Sequence, residues 1–203
     1  MPEAERQRWG EIVSTSTIGF ISECEELHCI PPLGSLVLVH GVQGERIFAV
    51  VAYGETSSID PGRRIIRRGR QGLSDAALYE QNPELKHILR SLFHAVAVGY
   101  EANGVIHHVL PSLPPPLHYS VEVATSDDVV QFTARPRYFS ILAHYTGEVP
   151  TDQLLVAHIR YVFDARGRDR VWLEQAAREI ARVFKQDYDR LLPLLESLDP
   201  DAL

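Results

Sequence analysis

An α+β fold is predicted for this chain: a small N-terminal antiparallel β-barrel, an α/β extension and a C-terminal three-helix tail. Three features predict it. Short β-branched runs separated by glycine and proline fill the first third, an Asn-Gly turn joins two apolar runs in the middle, and beyond Pro150 the apolar spacing becomes helical. The expected segments are a barrel over 10–75, a helix-plus-strands extension over 76–133 and a helical tail over 134–203.

The barrel comes first. Apolar bursts at Thr17–Ile21, Ser35–His40 and Arg46–Tyr53 are too brief and too closely spaced for a wide sandwich, and closure removes exposed strand edges. Leu36-Val37-Leu38-Val39 and Ile47-Phe48-Ala49-Val50-Val51 form a hairpin across 40–45, where Gly41 and Gly44 can supply positive-φ turn positions. The run Arg63-Arg64-Ile65-Ile66-Arg67-Arg68-Gly69-Arg70 follows. Its isoleucines can anchor it while the guanidinium groups face water, so it reads as a solvated strand edge or as a contact for phosphate or partner carboxylates.

From Ser74 to Phe93 the residues Leu78, Leu85, Ile88, Leu89, Leu92 and Phe93 recur at helical spacing, with Asn82-Pro83 starting the main helix. Ala95–Tyr100 and Val105–Leu110 then form a hairpin about Asn103-Gly104. Pro111–Leu117 is a stiff extended strap, because each proline fixes φ and turns the residue before it away from helix. Val121–Ala124 and Val129–Phe132 are short strands, or Ser126-Asp127-Asp128 caps a helical turn. In the tail, Leu155, Ile159 and Val162 line one helix. Leu173, Ala176, Ala177, Ile180 and Phe184 line a second, capped by Asp169 or a neighbour. Leu191, Leu194, Leu195 and Leu198 line a third, in which Pro193 is tolerable only near the first turn.

Composition bounds the function. Hydrophobic residues at 45% and charged residues at 23% of 203 describe a folded globular chain, not a disordered or fibrous one. No run approaches the roughly 18 apolar residues of a membrane span, and MPEAERQRWGE lacks the apolar core of a signal peptide, so a cytoplasmic protein without membrane association is expected. Cys24 and Cys29 are too few for a disulfide framework and read as packing or rim thiols. A net charge of -7 offers nucleic acid no global attraction, so any DNA contact must be local.

Several chemistries lack their residues. A phosphate-binding loop needs Gly-Lys, and the only lysines, Lys86 after Leu85 and Lys185 after Phe184, do not supply it; the chain alone does not hydrolyse nucleoside triphosphates. His107-His108 with His94, His118 and His144 show no HExxH pattern, and Cys24, His28 and Cys29 offer three zinc ligands where a structural site wants four. Asp127-Asp128 and Asp187 with Asp189 sit where helix capping explains them, and no Gly-x-Ser-x-Gly elbow occurs. No catalytic residue, metal ligand or cofactor is therefore assigned.

Ile18-Gly19-Phe20-Ile21, the turn and strand from Pro32 to Val39 with Gly34, and the Ala49-Val50 pair together resemble the HAS barrel of HerA translocases and the ATP synthase core. The stretch from Tyr79 through Asn82-Pro83 to Gly99, then Leu110-Pro111 and Pro114 to His118, is similar to the HerA-like continuation, so the likeness covers about 12–132. Where such a protein would present its phosphate-binding loop, this chain has Ala143-His144-Tyr145-Thr146-Gly147-Glu148 and turns helical. Gly19, Gly34, Ala49 and Val50 are the barrel motif positions. The resemblance implies a non-catalytic adaptor or assembly module docking on a HerA-like ATPase or a NurA-like nuclease, as a homo- or hetero-oligomer. The alternative is a small barrel that binds DNA directly through Arg63, Arg64, Arg67, Arg68 and Arg70. A third reading places His94, His107 and His118 around a metal.

Overall fold

Leu36–Val39 and Ile47–Ala52 are apolar at every position, which a strand with one wet face does not need. The structure, a computed structural model, describes residues 8–60, 62, 66 and 74–199, and in it both faces of these strands are covered. The strands are β1 (Arg8–Ser16), β2 (Gly19–Cys24), β3 (Leu36–His40), β4 (Arg46–Ser58), β5 (Leu89–Ala102), β6 (Val105–His107) and β7 (Ser120–Val123). Their order is β2-β1-β7-β3-β4-β5-β6, and β2 also pairs with β5. All pairings are antiparallel, so six strands close into a barrel and β6 is an extra strand beside β5.

The barrel interior holds Ile12, Phe20, Val37, Val39, Ile47, Ala49, Val51, Phe93, Ala95, Ala97 and Val121. The alternate residues Leu36, Leu38, Phe48, Val50, Ala52 and Val98 face outward into a second core shared with the helices. The register Val37↔Ala49, Leu38↔Phe48, Val39↔Ile47 keeps the two sets apart, since a slip of one residue would exchange them. Each large side chain buried in this way contributes about 1.5–3 kcal/mol. Two bulges, one at Val98 of β5 opposite Phe48/Ala49 and one at Ala52 of β4 between Val51 and Tyr53, interrupt the pairing of β4 with β5, which runs from Arg46↔Glu101 to Ser58↔Leu89.

The barrel is not complete within 10–75, because β5 and β7 supply two of its six strands. The single helix expected over 74–93 is also replaced. Helix α1 (Asp75–Gln81) is capped by Ser74, α2 (Leu85–Ile88) is one short turn, and β5 starts at Leu89. Leu92 and Phe93 pair with Glu23 and Ser22 of β2 while Phe93 enters the barrel interior, so ladder bonds and burial override the helical spacing. Asn82 and Pro83 lie between α1 and α2 rather than starting a long helix.

Other expectations hold. Asn103 and Gly104 both take positive φ, 52° and 74°, at the turn between β5 and β6. The choice left open after Val121 resolves as strand β7 followed by α3 (Ser126–Phe132), where Thr125 and Asp128 form a reciprocal capping box. A 3-10 turn at Pro136–Tyr138 leads into α4 (Phe139–Ala143), and the tail is α5 (Thr151–Ala165), α6 (Arg170–Val183, capped by Asp169) and α7 (Tyr188–Glu196). Pro193 departs from the expectation that it sits near a first turn: it lies inside α7, beyond its first turn, where burial of Leu191 and Leu194 offsets the forfeited backbone bond. No helix among the described residues is long and apolar enough to cross a membrane.

Candidate functional site

Gly34 has φ 82°, and a Cβ there would stand 2.4 Å from the His158 backbone nitrogen, so a glycine is required where the loop before β3 meets α5. The same contact is hydrogen-bonded. The fully buried His158 donates from Nδ1 to the Gly34 carbonyl at 2.6 Å, and its Nε2 accepts the Tyr138 hydroxyl at 2.8 Å. Burial drives the His158 pKa down to about 4, against the opposing Gly34 bond, and burial raises the Tyr138 hydroxyl well above its usual value. Both ring nitrogens are committed, so His158 is a neutral clamp between barrel and tail, with no lone pair left for chemistry.

A second junction is ionic. Arg46 at the start of β4 reaches Glu101 at 2.7 Å and also pairs with Asp128 of α3, while its guanidinium lies 5.3 Å from the Phe48 ring centre. Burial alone would raise the Asp128 carboxyl, but hydrogen bonds from Thr125 and Arg46 outweigh it and hold the group below the usual carboxylate range. In α6, Trp172 donates its indole N–H to the Thr133 carbonyl at 2.8 Å, fastening the tail to the end of α3.

On another side of the barrel a cleft of about 650 Å³ separates β1, β2 and β5 from α4 and the loop after it. One wall is fixed by Gly19, where a Cβ would meet the Ala95 carbonyl oxygen at 2.2 Å, and by the Ala97 N–H bonded to the Ile18 carbonyl at 3.0 Å. The other wall is the 144–148 segment. There Tyr145 folds over Gly147, whose Cβ would collide with the phenol oxygen at 1.8 Å, and Thr151 Oγ1 holds the Tyr145 carbonyl at 2.9 Å. Apolar Ile18, Ile21, Val96 and Ile141 line the cleft with His94, His144 and Glu148, and no lysine or arginine is among its described lining residues. His94 contacts the Tyr53 ring edge-on at 5.2 Å, and Tyr53 bonds Glu55 at 3.3 Å.

The positions singled out in the sequence do different jobs. Gly19 lines the cleft and Gly34 the tail junction, whereas Ala49 points into the barrel and Val50 outward to the helices. Arg63, Arg64, Arg67, Arg68 and Arg70 lie outside the described residues. The histidines of the metal reading are engaged separately: His94 with Tyr53, His107 stacked on Tyr100 at 4.8 Å, and His118 bonded to Glu11 at 2.6 Å. Among the described residues no group of three or more His, Cys, Asp or Glu side chains is placed to hold a metal ion. His28 bonds Tyr79 at 2.8 Å, and burial pushes the Cys24 thiol up to about 11, which suits packing rather than nucleophilic attack. Asp128 and Asp187 cap α3 and α7.

The proline strap packs on its own barrel. Pro111 and Pro115 are buried, Thr15 donates to the Pro115 carbonyl at 2.8 Å, and backbone bonds join Ile12 to His118 and Tyr119. This leaves Val13, Leu113, Leu117 and Tyr119 exposed on the strap and the adjoining stretch of β1. Sequence reasoning missed the His158 clamp and the cleft. The first had no signal beyond an unpatterned histidine; the second had one, in the Ala143–Glu148 segment that replaces a phosphate-binding loop. No family model matches the chain, and no curated protein matches it.

Proposed function

We propose that this protein is a non-catalytic assembly module that docks, through its barrel, on a HerA-like DNA translocase or its associated NurA-like nuclease in the cytoplasm. The observation that carries the reading is the barrel's unequal covering. The tail shields the outward faces of β3 and β4, while Val13, Leu113, Leu117 and Tyr119 stay exposed along β1 and the strap. Exposed apolar side chains on a strap held rigid by Pro115 and Thr15 suit a preformed docking face, since little conformational entropy is lost on binding. The likeness of Gly19, Gly34 and Ala49-Val50 to the HAS barrel motif supports the choice of partner.

Biolayer interferometry with this chain immobilised and the purified HerA-like ATPase and nuclease of the same organism in solution tests the reading. Saturable binding of either is expected. Absence of binding to both, with duplex DNA bound instead in a steeply salt-dependent manner, would favour the arginine-run alternative.

A further inference from the structure

The cleft between β2 and α4 is independent of the docking face just described, and its shape and charge pattern define a ligand. Its volume, about 650 Å³, falls in the range of small-molecule sites, roughly 300–1,000 Å³. Both walls are braced without a ligand: Gly19 seats against Ala95, and Tyr145 is held by Thr151 and by its packing over Gly147. Apolar lining comes from the outward-facing Ile21 and Val96 and from Ile141.

The charge pattern is one-sided. Among the described lining residues Glu148 is the one acidic side chain, no lysine or arginine accompanies it, and it makes no ion pair among the described residues. Glu55 adds negative charge nearby: it and Glu148 both act on Tyr53, whose ring touches His94 of the cleft. Tyr145 lines the cleft beside Glu148. Glu148 is exposed and stays hydrated, so a neutral molecule gains nothing from it, whereas a cation gains a charge partner at the cleft mouth.

We propose that this cleft binds a small organic cation, an ammonium group carried on an apolar body. The ammonium pairs with Glu148 beside Tyr145, and the apolar body rests on Ile21, Val96 and Ile141.

The test uses the whole protein, labelled with nitrogen-15, titrated with 2-phenylethylamine, 2-phenylethanol and 3-phenylpropionate while amide shifts are followed. The amine is expected to give saturable shifts at Gly19, Thr146, Gly147 and Glu148, the alcohol to bind about three- to tenfold more weakly, and the carboxylate to give none. Glu148→Gln should reduce amine binding to the level of the alcohol. Glu174→Gln, which removes the same charge from the exposed face of α6, should change nothing. Thr146→Lys, at an exposed position, should weaken the amine further and leave the alcohol as it was. Equal binding of amine and alcohol, an unchanged amine preference in Glu148→Gln, or shifts only outside the cleft would overturn the assignment. Loss of binding to the ATPase or nuclease would not bear on it.

Discussion

His158 in the middle of α5 donates from Nδ1 to the Gly34 carbonyl across 2.6 Å, and this bond ties the helical tail to the loop that starts β3. Because Tyr138 donates to Nε2, the imidazole is fixed as the neutral tautomer, and protonation would set two donors against each other.

A dependence of stability on pH follows. His158 titrates near 6.5 when unfolded and about 4 when folded, so between those values the unfolded chain binds more protons. The stabilisation is complete above pH 6.5 and is lost as pH falls towards 4, by about 3 kcal/mol in all. Urea unfolding at pH 7, 5.5 and 4 should show this decline, and His158→Leu should flatten this part of it while lowering stability at pH 7 by leaving Gly34 and Tyr138 without their partner.

Three glycine-to-alanine substitutions separate strain from collision. Gly34→Ala meets both a φ of 82° and the α5 backbone, and should cost about 3 kcal/mol or more. Gly44→Ala has φ 83° but nothing within 4 Å, and should cost only about 1 kcal/mol. Gly19→Ala has no positive φ, yet must part β2 from β5 by displacing Ala95, and should cost about 1–3 kcal/mol. Thermal unfolding of the three variants gives the ranking.

The Arg46 junction can be probed from the acid side. Asp128→Asn keeps the shape of the capping box but removes the charge facing Arg46, and a loss of about 2 kcal/mol in denaturant unfolding is expected. Since the Asp128 carboxyl is held below its ordinary value, its stabilisation is present above the unfolded pKa and fades as pH falls through the folded one. The variant and the parent should therefore converge in stability at strongly acid pH.

Local chemistry made much of this fold legible, and long-range pairing hid the rest. The β3–β4 hairpin, the Asn103-Gly104 turn and the three tail helices rest on turn residues and on periods of two or 3.6 that neighbours in sequence carry alone. Leu85 to Phe93 misled because Leu85, Ile88, Leu89, Leu92 and Phe93 satisfy a helical stripe, and only their partners some thirty to seventy residues away decide for a strand. The run Leu36–Val39 was legible as a hairpin strand, but the burial of both its faces was not, since the helices that cover the outer one lie far along the chain. The cleft was least legible, since β1, β2, β5 and α4 each contribute a few ordinary residues and Glu148 stands out only once they are assembled.

The docking face makes its own prediction. Leu113→Glu with Leu117→Glu places charge on two exposed apolar positions of the strap, so the thermal midpoint should stay within a few degrees of the parent while partner affinity falls at least tenfold.

Sedimentation velocity of the full chain mixed with the purified HerA-like ATPase and, separately, with the nuclease of the same organism is the most direct measurement. Co-sedimentation with one of them, abolished by the Leu113→Glu, Leu117→Glu pair, is the expected result. A chain that sediments alone beside both proteins, at every concentration tried, would contradict the assembly role.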